Sequence, residues 1–276
     1  MTPDLILYHG DCPDGFCAAF IAKTQYPKAE LIPCTYGVPP PDVTGKDVLV
    51  VDFSWPRLQT LEISSKANSI RIFDHHKTAE KELEGLAFAT FDMNRSGATL
   101  TWDLLFPGKE RPWFVLYVED RDLWRWALPN SKEISGYLMA LPQTMEAWSI
   151  LWDLDQAAAA DYGTAIRLHI DHYIEKIVAQ RRVGHFHDHP TLIVNAAYPN
   201  ISDVCDALLT MQKGDGIALG WFERGDGRTQ FSLRSRGELD VSAIARDHGG
   251  GGHKNAAGFE LSRKSARALL DTLEGS

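Results

Sequence analysis

A short apolar run that ends on an acid or a histidine recurs along the first 120 residues, and it narrows what this chain can fold into. LILY (Leu5–Tyr8) leads into His9, Asp11 and Asp14, and DVLVVD ends on Asp52. SIRIFDHH ends on Asp74, His75 and His76, and WFVLYVED reads as a fourth run ending on Asp120. Apolar runs of this length fit strands buried on both faces. The intervening segments FCAAFIAK, Arg57–Lys66 and Gly97–Leu105 have helical composition, the last with Ser96 placed to cap it. Strands alternating with helices predict an α/β unit with a parallel sheet covered on both faces.

In an open parallel sheet the C-terminal strand ends line one crevice, where ligands bind. The four runs therefore predict that their terminal acids and histidines share that crevice. Carboxylates crowded there would raise one another's pKa values unless cations lay between them. Four aspartates with imidazoles suit two divalent ions, Mn²⁺ being a good match. A single such aspartate would read as a helix cap or a solvated turn; four in register weigh against that.

Charge supports the same division. The chain carries 28 Lys and Arg against 37 Asp and Glu, a formal net charge of −9. Residues 1–120 hold 11 basic and 17 acidic side chains, which is most of the excess. A protein that grips long duplex DNA by phosphate neutralisation needs a basic face, so that class is excluded, whereas a small anion at one concentrated site is not. No apolar run approaches the roughly 20 residues of a membrane span. MTPDLILYHGD lacks the basic start and cleavage pattern of a secretory signal, and Cys12, Cys17, Cys34 and Cys205 form no CxxC pair. The expectation is a cytoplasmic protein in a reducing compartment, with oligomeric state left open.

Beyond Asp122 the pattern turns helical. Asp155 to Arg182 has no proline, and Tyr162, Ile166, Ile170, Tyr173 and Ile177 recur at helical spacing, with Gly184 read as its cap. At about 1.5 Å per residue such a connector is roughly 40 Å long. HFHDHP then reads as a solvated linker, although His185, His187 and His189 could bind a metal by composition. From about residue 190 a second, smaller α/β pattern begins. It comprises TLIVNAA, a helix over 202–211, IALGWFE, and a D-G hairpin signal before TQFSLRS. Four consecutive glycines, Gly249–Gly252, are costly to order unless backbone must approach something closely. With HKNAAG after them they predict free N–H groups and a helix N-terminus suited to phosphate, helped by His253, Lys254 and a bidentate Arg234. A flexible loop is the plainer reading of the glycines alone.

HGDCPDGFCAA, VVDFS, FDHH, VEDRDLW and HGGGGHKNAAGF together resemble the DHH phosphoesterase family, in its DHH–DHHA1 subgroup. The resemblance implies a DHH catalytic, metal-binding domain over 1–125, a helical connector over 126–189 and a DHHA1 substrate-binding domain over 190–276. It implies a phosphoesterase with two Mn²⁺ ions, Mg²⁺ or Co²⁺ being possible substitutes. His9, Asp11, Asp14, Asp52, His75 and Asp120 resemble the metal ligands, with Asp52 bridging, and His76 resembles the substrate-facing catalytic histidine. Arg234, Gly250, Gly251, Gly252 and His253 resemble the substrate-binding loop and its clamp.

One departure stands in the first motif. Many relatives have two aspartates two residues apart; here Asp11 and Asp14 are three apart, around Pro13. Asp14 is favoured as the ligand, and a turn carboxylate bonding its own backbone is the other reading of Asp11. Asp74 is expected to orient His75, and Asp122 to cap or pair with Arg121 or Arg125 if it is not a ligand. Trp124 and Trp126 are singled out among tryptophans otherwise assigned to core, while Cys12 and Cys17 lack the partners of a nucleophile.

The implied activity is hydrolysis of short single-stranded oligonucleotides and linear dinucleotides such as pApA or pGpG to 5′-mononucleotides, in the manner of nano-RNases and oligoribonucleases. Turnover of 3′-phosphoadenosine 5′-phosphate would accompany it. An exopolyphosphatase-like activity on inorganic polyphosphate is the nearest alternative. A non-catalytic nucleotide sensor is a different class, disfavoured because the full ligand set is present.

Overall fold

The computed structural model describes residues 2–212 and 214–274. The chain divides into two compact units, residues 1–167 and 168–276.

The first unit opens with β1 (Leu5–His9), α1 (Pro13–Gln25), β2 (Glu30–Cys34), β3 (Asp47–Val51), α2 (Arg57–Lys66), β4 (Ser69–Asp74), α3 (Lys77–Glu82) and β5 (Ala89–Phe91). The strands form a parallel sheet in the order β2-β1-β3-β4-β5. Both faces are buried, so alternate residues of one apolar run serve two cores. Ile6, Tyr8, Leu49, Val51 and Phe73 face one cluster with α1, while Leu5, Leu7, Val48, Val50 and Ile72 face the other with Ile63 of α2. The expected parallel α/β architecture is therefore present.

The rest of the unit is helical: α4 (Gly97–Leu105), α5 (Trp113–Asp122), α6 (Ser131–Ala140) and α7 (Met145–Ser149). Ser96 caps α4, its hydroxyl accepting from Thr99 N at 3.3 Å. WFVLYVED is α5, not a fourth strand. An apolar run of that length carries no decisive period. Pro112 stands where a proline favours a helix start, and Phe114, Val115, Tyr117 and Val118 share one buried helical face. The sheet's outer strands are instead the less apolar β2 and the three-residue β5.

α8 (Gln156–Val178) is shorter than the expected 155–182 helix, and the chain leaves it into β6 (Arg182–Phe186). Gly184 is thus a strand residue: a Cβ there would lie 2.3 Å from the Leu273 carbonyl oxygen, so close packing, not helix capping, requires glycine. HFHDHP is not a solvated linker either. β6 pairs antiparallel with β7 (His189–Asn195), and His187 and Asp188 form the turn at φ 48° and 63°. Two left-handed residues are what a tight hairpin of this hand requires.

α9 (Ile201–Met211), β8 (Ile217–Glu223), β9 (Arg228–Arg234), α10 (Val241–Asp247), β10 (Gly251–His253), β11 (Ala256–Ser262) and α11 (Arg263–Glu274) complete the second unit. Its six strands run β10-β11-β9-β8-β7-β6, antiparallel except for β7 with β8. α10 and α11 cover one face around Phe231 and Phe259, and α8 and α9 the other around Val194 and Val204. No helix among the described residues is long and apolar enough to cross a membrane.

Candidate metal centre

The crevice is built where the first unit's central strands end. His9 closes β1, Asp74 closes β4, and Asp52 follows β3 at φ 55°, its N–H donating to Phe73 O at 2.8 Å. The left-handed turn at Asp52 is strained for a residue other than glycine and lies at the centre of the group. Asp14 sits in the first turn of α1. Its carboxylate accepts from Gly97 N at 2.6 Å and Ala98 N at 2.9 Å, joining it to the N-terminus of α4. Glycine is required on both sides of this junction. A Cβ on Gly97 would lie 2.4 Å from the Asp52 Cβ, and one on Gly15 would lie 2.3 Å from the His9 carbonyl oxygen.

His75 stands at the focus. Its Nε2 is 3.2 Å from Asp52 Oδ1, 3.5 Å from Asp122 Oδ2 and 3.6 Å from Asp14 Oδ2. His9 Nδ1 is 3.5 Å from the other oxygen of Asp52. Asp52 therefore presents one oxygen to each imidazole, and at 1% exposure neither oxygen accepts a hydrogen bond among the described residues. His9 Nδ1 and Asp122 Oδ2 are also buried without a hydrogen bond. Ligand atoms of His9, Cys12 and Asp52 lie within 4.8 Å of one another, as do those of Asp14, His75 and Asp122, and those of Asp52, Asp74 and His76.

The electrostatics follow from this crowding. Burial pushes the Asp14 carboxyl well above its usual range, with Asp52 and Asp122 adding to the rise. Burial raises Asp122 as well, prevailing over the pull of His75, with Asp52 adding to the rise. Burial would raise Asp52 too, but His75 and His9 hold it well below the usual carboxylate range. Burial disfavours a charged His75, yet Asp122, Asp52 and Asp14 push its imidazole up to about 11. Three carboxylates around one imidazole, with buried oxygens lacking donors, match the oxygen and nitrogen donor set of a divalent cation.

Asp74 has a different task. Its Oδ2 accepts from Ser54 Oγ at 2.6 Å, and its Oδ1 accepts from His75 N at 2.7 Å and lies 2.7 Å from His76 Nδ1. The ring it holds is that of His76; its bond to His75 is to the backbone amide. This corrects the expectation that Asp74 orients the His75 imidazole.

Two expected ligands are placed elsewhere. Asp120 is turned away, its carboxylate accepting from Ala127 N at 3.0 Å, Leu128 N at 3.3 Å and the Ser131 hydroxyl. It organises the loop after α5, and Asp122, one half-turn of helix further on, takes the place in the crevice. The register error follows from reading α5 as a strand, whose last residue would have been Asp120. Asp11 is exposed in a left-handed turn at φ 54° and belongs to none of the three groups. The sequence reading also passed over Cys12 as a neighbour of His9 and Asp52, and over Tyr36, whose ring packs 5.3 Å from that of His9.

In the second unit Arg234, at the end of β9, pairs in register with Ala256, which pairs in turn with His253 of β10. Cross-strand partners share a face, so Arg234 and His253 project on the same side of the sheet. Arg234 donates to Ser202 Oγ at 2.7 Å and to the Leu233 carbonyl at 2.9 Å. The glycine run leads from a turn at Gly249 into the edge strand β10, which Gly251 and Gly252 open, and not into a helix. A Cβ on Gly250 would lie 2.1 Å from Gly258 O, and Gly252 adopts φ 136° with its Cβ position 2.6 Å from Ala256 O. Lys254, expected as a further donor, is 2.8 Å from Glu238.

A parallel α/β unit with an acid and histidine crevice, followed by a mixed-sheet unit, describes a two-part protein of phosphoesterase type. Residues 194–275 match the DHHA1 domain model. The chain is 30% identical over 284 residues to an uncharacterized protein, R106, of Acanthamoeba polyphaga mimivirus, covering 94% of this chain and 68% of that protein. Among solved structures it is similar to RecJ from Thermus thermophilus in complex with Mn²⁺, with a TM-score of 0.56 at 14% identity. That match covers 99% of this chain and 52% of RecJ. It is also similar to PggH, a pGpG-specific phosphodiesterase from Vibrio, with a TM-score of 0.51 at 12% identity, covering 98% and 96% of the two chains. The chain belongs to the DHH–DHHA1 family of phosphoesterases.

Proposed function

We propose that this protein is a hydrolase of short oligonucleotides and linear dinucleotides such as pApA and pGpG, releasing 5′-mononucleotides with two divalent cations, Mn²⁺ being the expected pair. The observation that carries the reading is the convergence of Asp14, Asp52 and Asp122 on His75 Nε2, with both oxygens of Asp52 buried and lacking hydrogen bonds among the described residues. Asp52 would bridge the two cations. His9 would serve one, Asp14, Asp122 and His75 the other, with Asp122 in place of Asp120. When bound, such a pair supplies an activated water and screens the phosphoryl oxygens.

His76, fixed through Nδ1 by Asp74, has its ring 5.9 Å from that of His9. From there it would hold a phosphoryl oxygen or pass a proton to the leaving oxygen. The acidic partner favours a protonated ring: burial opposes the charge on His76, but Asp74 raises its pKa. Arg234, Gly250, Gly251, Gly252 and His253 are proposed to bind the substrate. The short-nucleotide substrate rests on the motif resemblance, and the fold shared with PggH and RecJ agrees with it. The net charge of −9 disfavours long nucleic acid.

The test is a hydrolysis panel with Mn²⁺ spanning 3′-phosphoadenosine 5′-phosphate, pApA, pGpG, a twelve-residue oligonucleotide and inorganic polyphosphate. Fastest turnover of the dinucleotides is expected. Turnover of polyphosphate alone would replace this reading with the polyphosphatase one, and an inert protein that still binds nucleotide would make it a sensor.

A further inference from the structure

The two halves of the crevice do not offer the same chemistry. Around His75 the donors are carboxylate oxygens and an imidazole nitrogen. Around His9 the third donor is sulfur: Cys12 Sγ, a His9 ring nitrogen and an Asp52 oxygen all lie within 4.8 Å of one another. Ligand atoms about 2.0–2.3 Å from a common ion are necessarily within about 4.6 Å of each other, so this spread needs only small side-chain adjustment.

Cys12 occupies the position preceding α1, where a Ser, Thr, Asp or Asn would ordinarily bond the first free N–H groups. Its thiol sits near the Gly15 N–H of that first turn. From there the sulfur also lies beside the donor atoms of His9 and Asp52. Independently of the cysteine, Asp52 points to a ligand here. It is 1% exposed, neither of its oxygens accepts a hydrogen bond among the described residues, and Oδ2 is the oxygen facing His9 Nδ1. His9 Nδ1 is likewise buried without a hydrogen bond among the described residues. The ring of His9 is held against Phe53 and Tyr36 at 5.8 and 5.3 Å between centroids, which limits its freedom to find another partner.

We propose that the Cys12 thiolate is a metal ligand, so that the pair of cation positions bridged by Asp52 is chemically unequal. The His9–Cys12–Asp52 position would take a thiolate-tolerant ion of the Zn²⁺, Co²⁺ or Fe²⁺ class, and the Asp14–Asp122–His75 position an oxygen-preferring ion such as Mn²⁺ or Mg²⁺. This rests on the two-cation reading given above and adds a sulfur ligand to one of its positions. Cys17, Cys34 and Cys205 belong to none of the candidate groups found among the described residues, which makes Cys12 the expected source of any thiolate signal.

The experiment is a Co²⁺ titration of the metal-free full-length protein followed by absorption, with bound Co²⁺ counted by equilibrium dialysis. Wild type is expected to show thiolate-to-cobalt charge-transfer absorption in the near ultraviolet together with visible ligand-field bands. Cys12→Ser should keep the visible bands and lose the near-ultraviolet one, while its preference for Zn²⁺ over Mn²⁺ falls at least about tenfold. Serine is a favoured residue before a helix, so folding should survive, and circular dichroism checks that. Cobalt bound with no charge-transfer band in wild type, or with the same band in Cys12→Ser, would overturn the sulfur ligand and leave the two-cation reading standing. No cobalt bound at all would sink both.

Discussion

The crevice of the first unit and the Arg234 face of the second handle polar groups in opposite ways. In the second unit many are matched from within. Arg234 bonds Ser202 and a carbonyl, Asp240 caps α10 through Ser242 N and Ala243 N, and Asn255 Nδ2 bonds Ser235 Oγ. In the crevice, Asp52 has two buried oxygens without hydrogen bonds among the described residues, and Asp14 and Asp122 are held above the usual carboxylate range. Buried polar atoms without partners are costly, so a fold retains them where a ligand completes them. The second unit closes most of these groups on itself, whereas the crevice gathers carboxylates and imidazoles that fit a cation.

The largest effect should come from the residue shared by both halves of the crevice. Asp52→Ala is expected to lower kcat/KM about a thousandfold or more and to abolish metal retention, read by elemental analysis after gel filtration. Activity within about tenfold of wild type would break the contrast, because the second unit would then hold the essential chemistry. The two acids at the end of α5 separate the roles more finely. Asp122→Asn should weaken metal binding about 100-fold while leaving the fold intact. Asp120→Asn should leave metal stoichiometry unchanged and cost about 2–4 kcal/mol in denaturant unfolding, since it weakens the acceptor for two amides and a hydroxyl. The reverse pattern would restore Asp120 as the ligand.

These two acids show where sequence reading ended. Strand ends at His9, Asp52 and Asp74 were legible because a strand buried on both faces is a continuous apolar run with an abrupt polar stop. WFVLYVED gives the same local signal as a helix, and only its packing through Phe114, Val115, Tyr117 and Val118 decides the case. Read as a strand, the run ends on Asp120; as a helix it continues to Asp122, which reaches His75. The glycines were legible as a place of close approach, but the thing approached is the protein's own β11, which lies beyond any local pattern. Cys12 was hidden because a thiol has no motif of its own at this spacing; its meaning comes from Asp52, 40 residues away in sequence.

A smaller effect is expected from the second unit. Arg234→Ala should raise KM about 10- to 100-fold for a dinucleotide while metal content stays at the wild-type level. A loss of kcat with unchanged KM would remove Arg234 from substrate binding and leave its bond to Ser202 as its purpose.

The smallest and most diagnostic effect is on stability against pH in protein stripped of metal by chelator. His75 titrates near 11 in the fold against about 6.5 unfolded. Its pairing with Asp14, Asp52 and Asp122 therefore contributes stability that is fully present below about pH 6.5 and is lost as pH rises toward 11. Asp14 and Asp122, raised by burial, act in the same direction, since the fold disfavours the ionisation that rising pH imposes. Asp52, held low, contributes stability present above about pH 4 and lost only in acid. The melting temperature of the stripped protein should therefore fall by several degrees between about pH 6.5 and 9. With Mn²⁺ the slope should flatten or reverse, because a metal-bound imidazole must be unprotonated and binding strengthens as pH rises. Parallel profiles with and without metal would mean that the cation binds outside this group of carboxylates, and the contrast between the two units would fail.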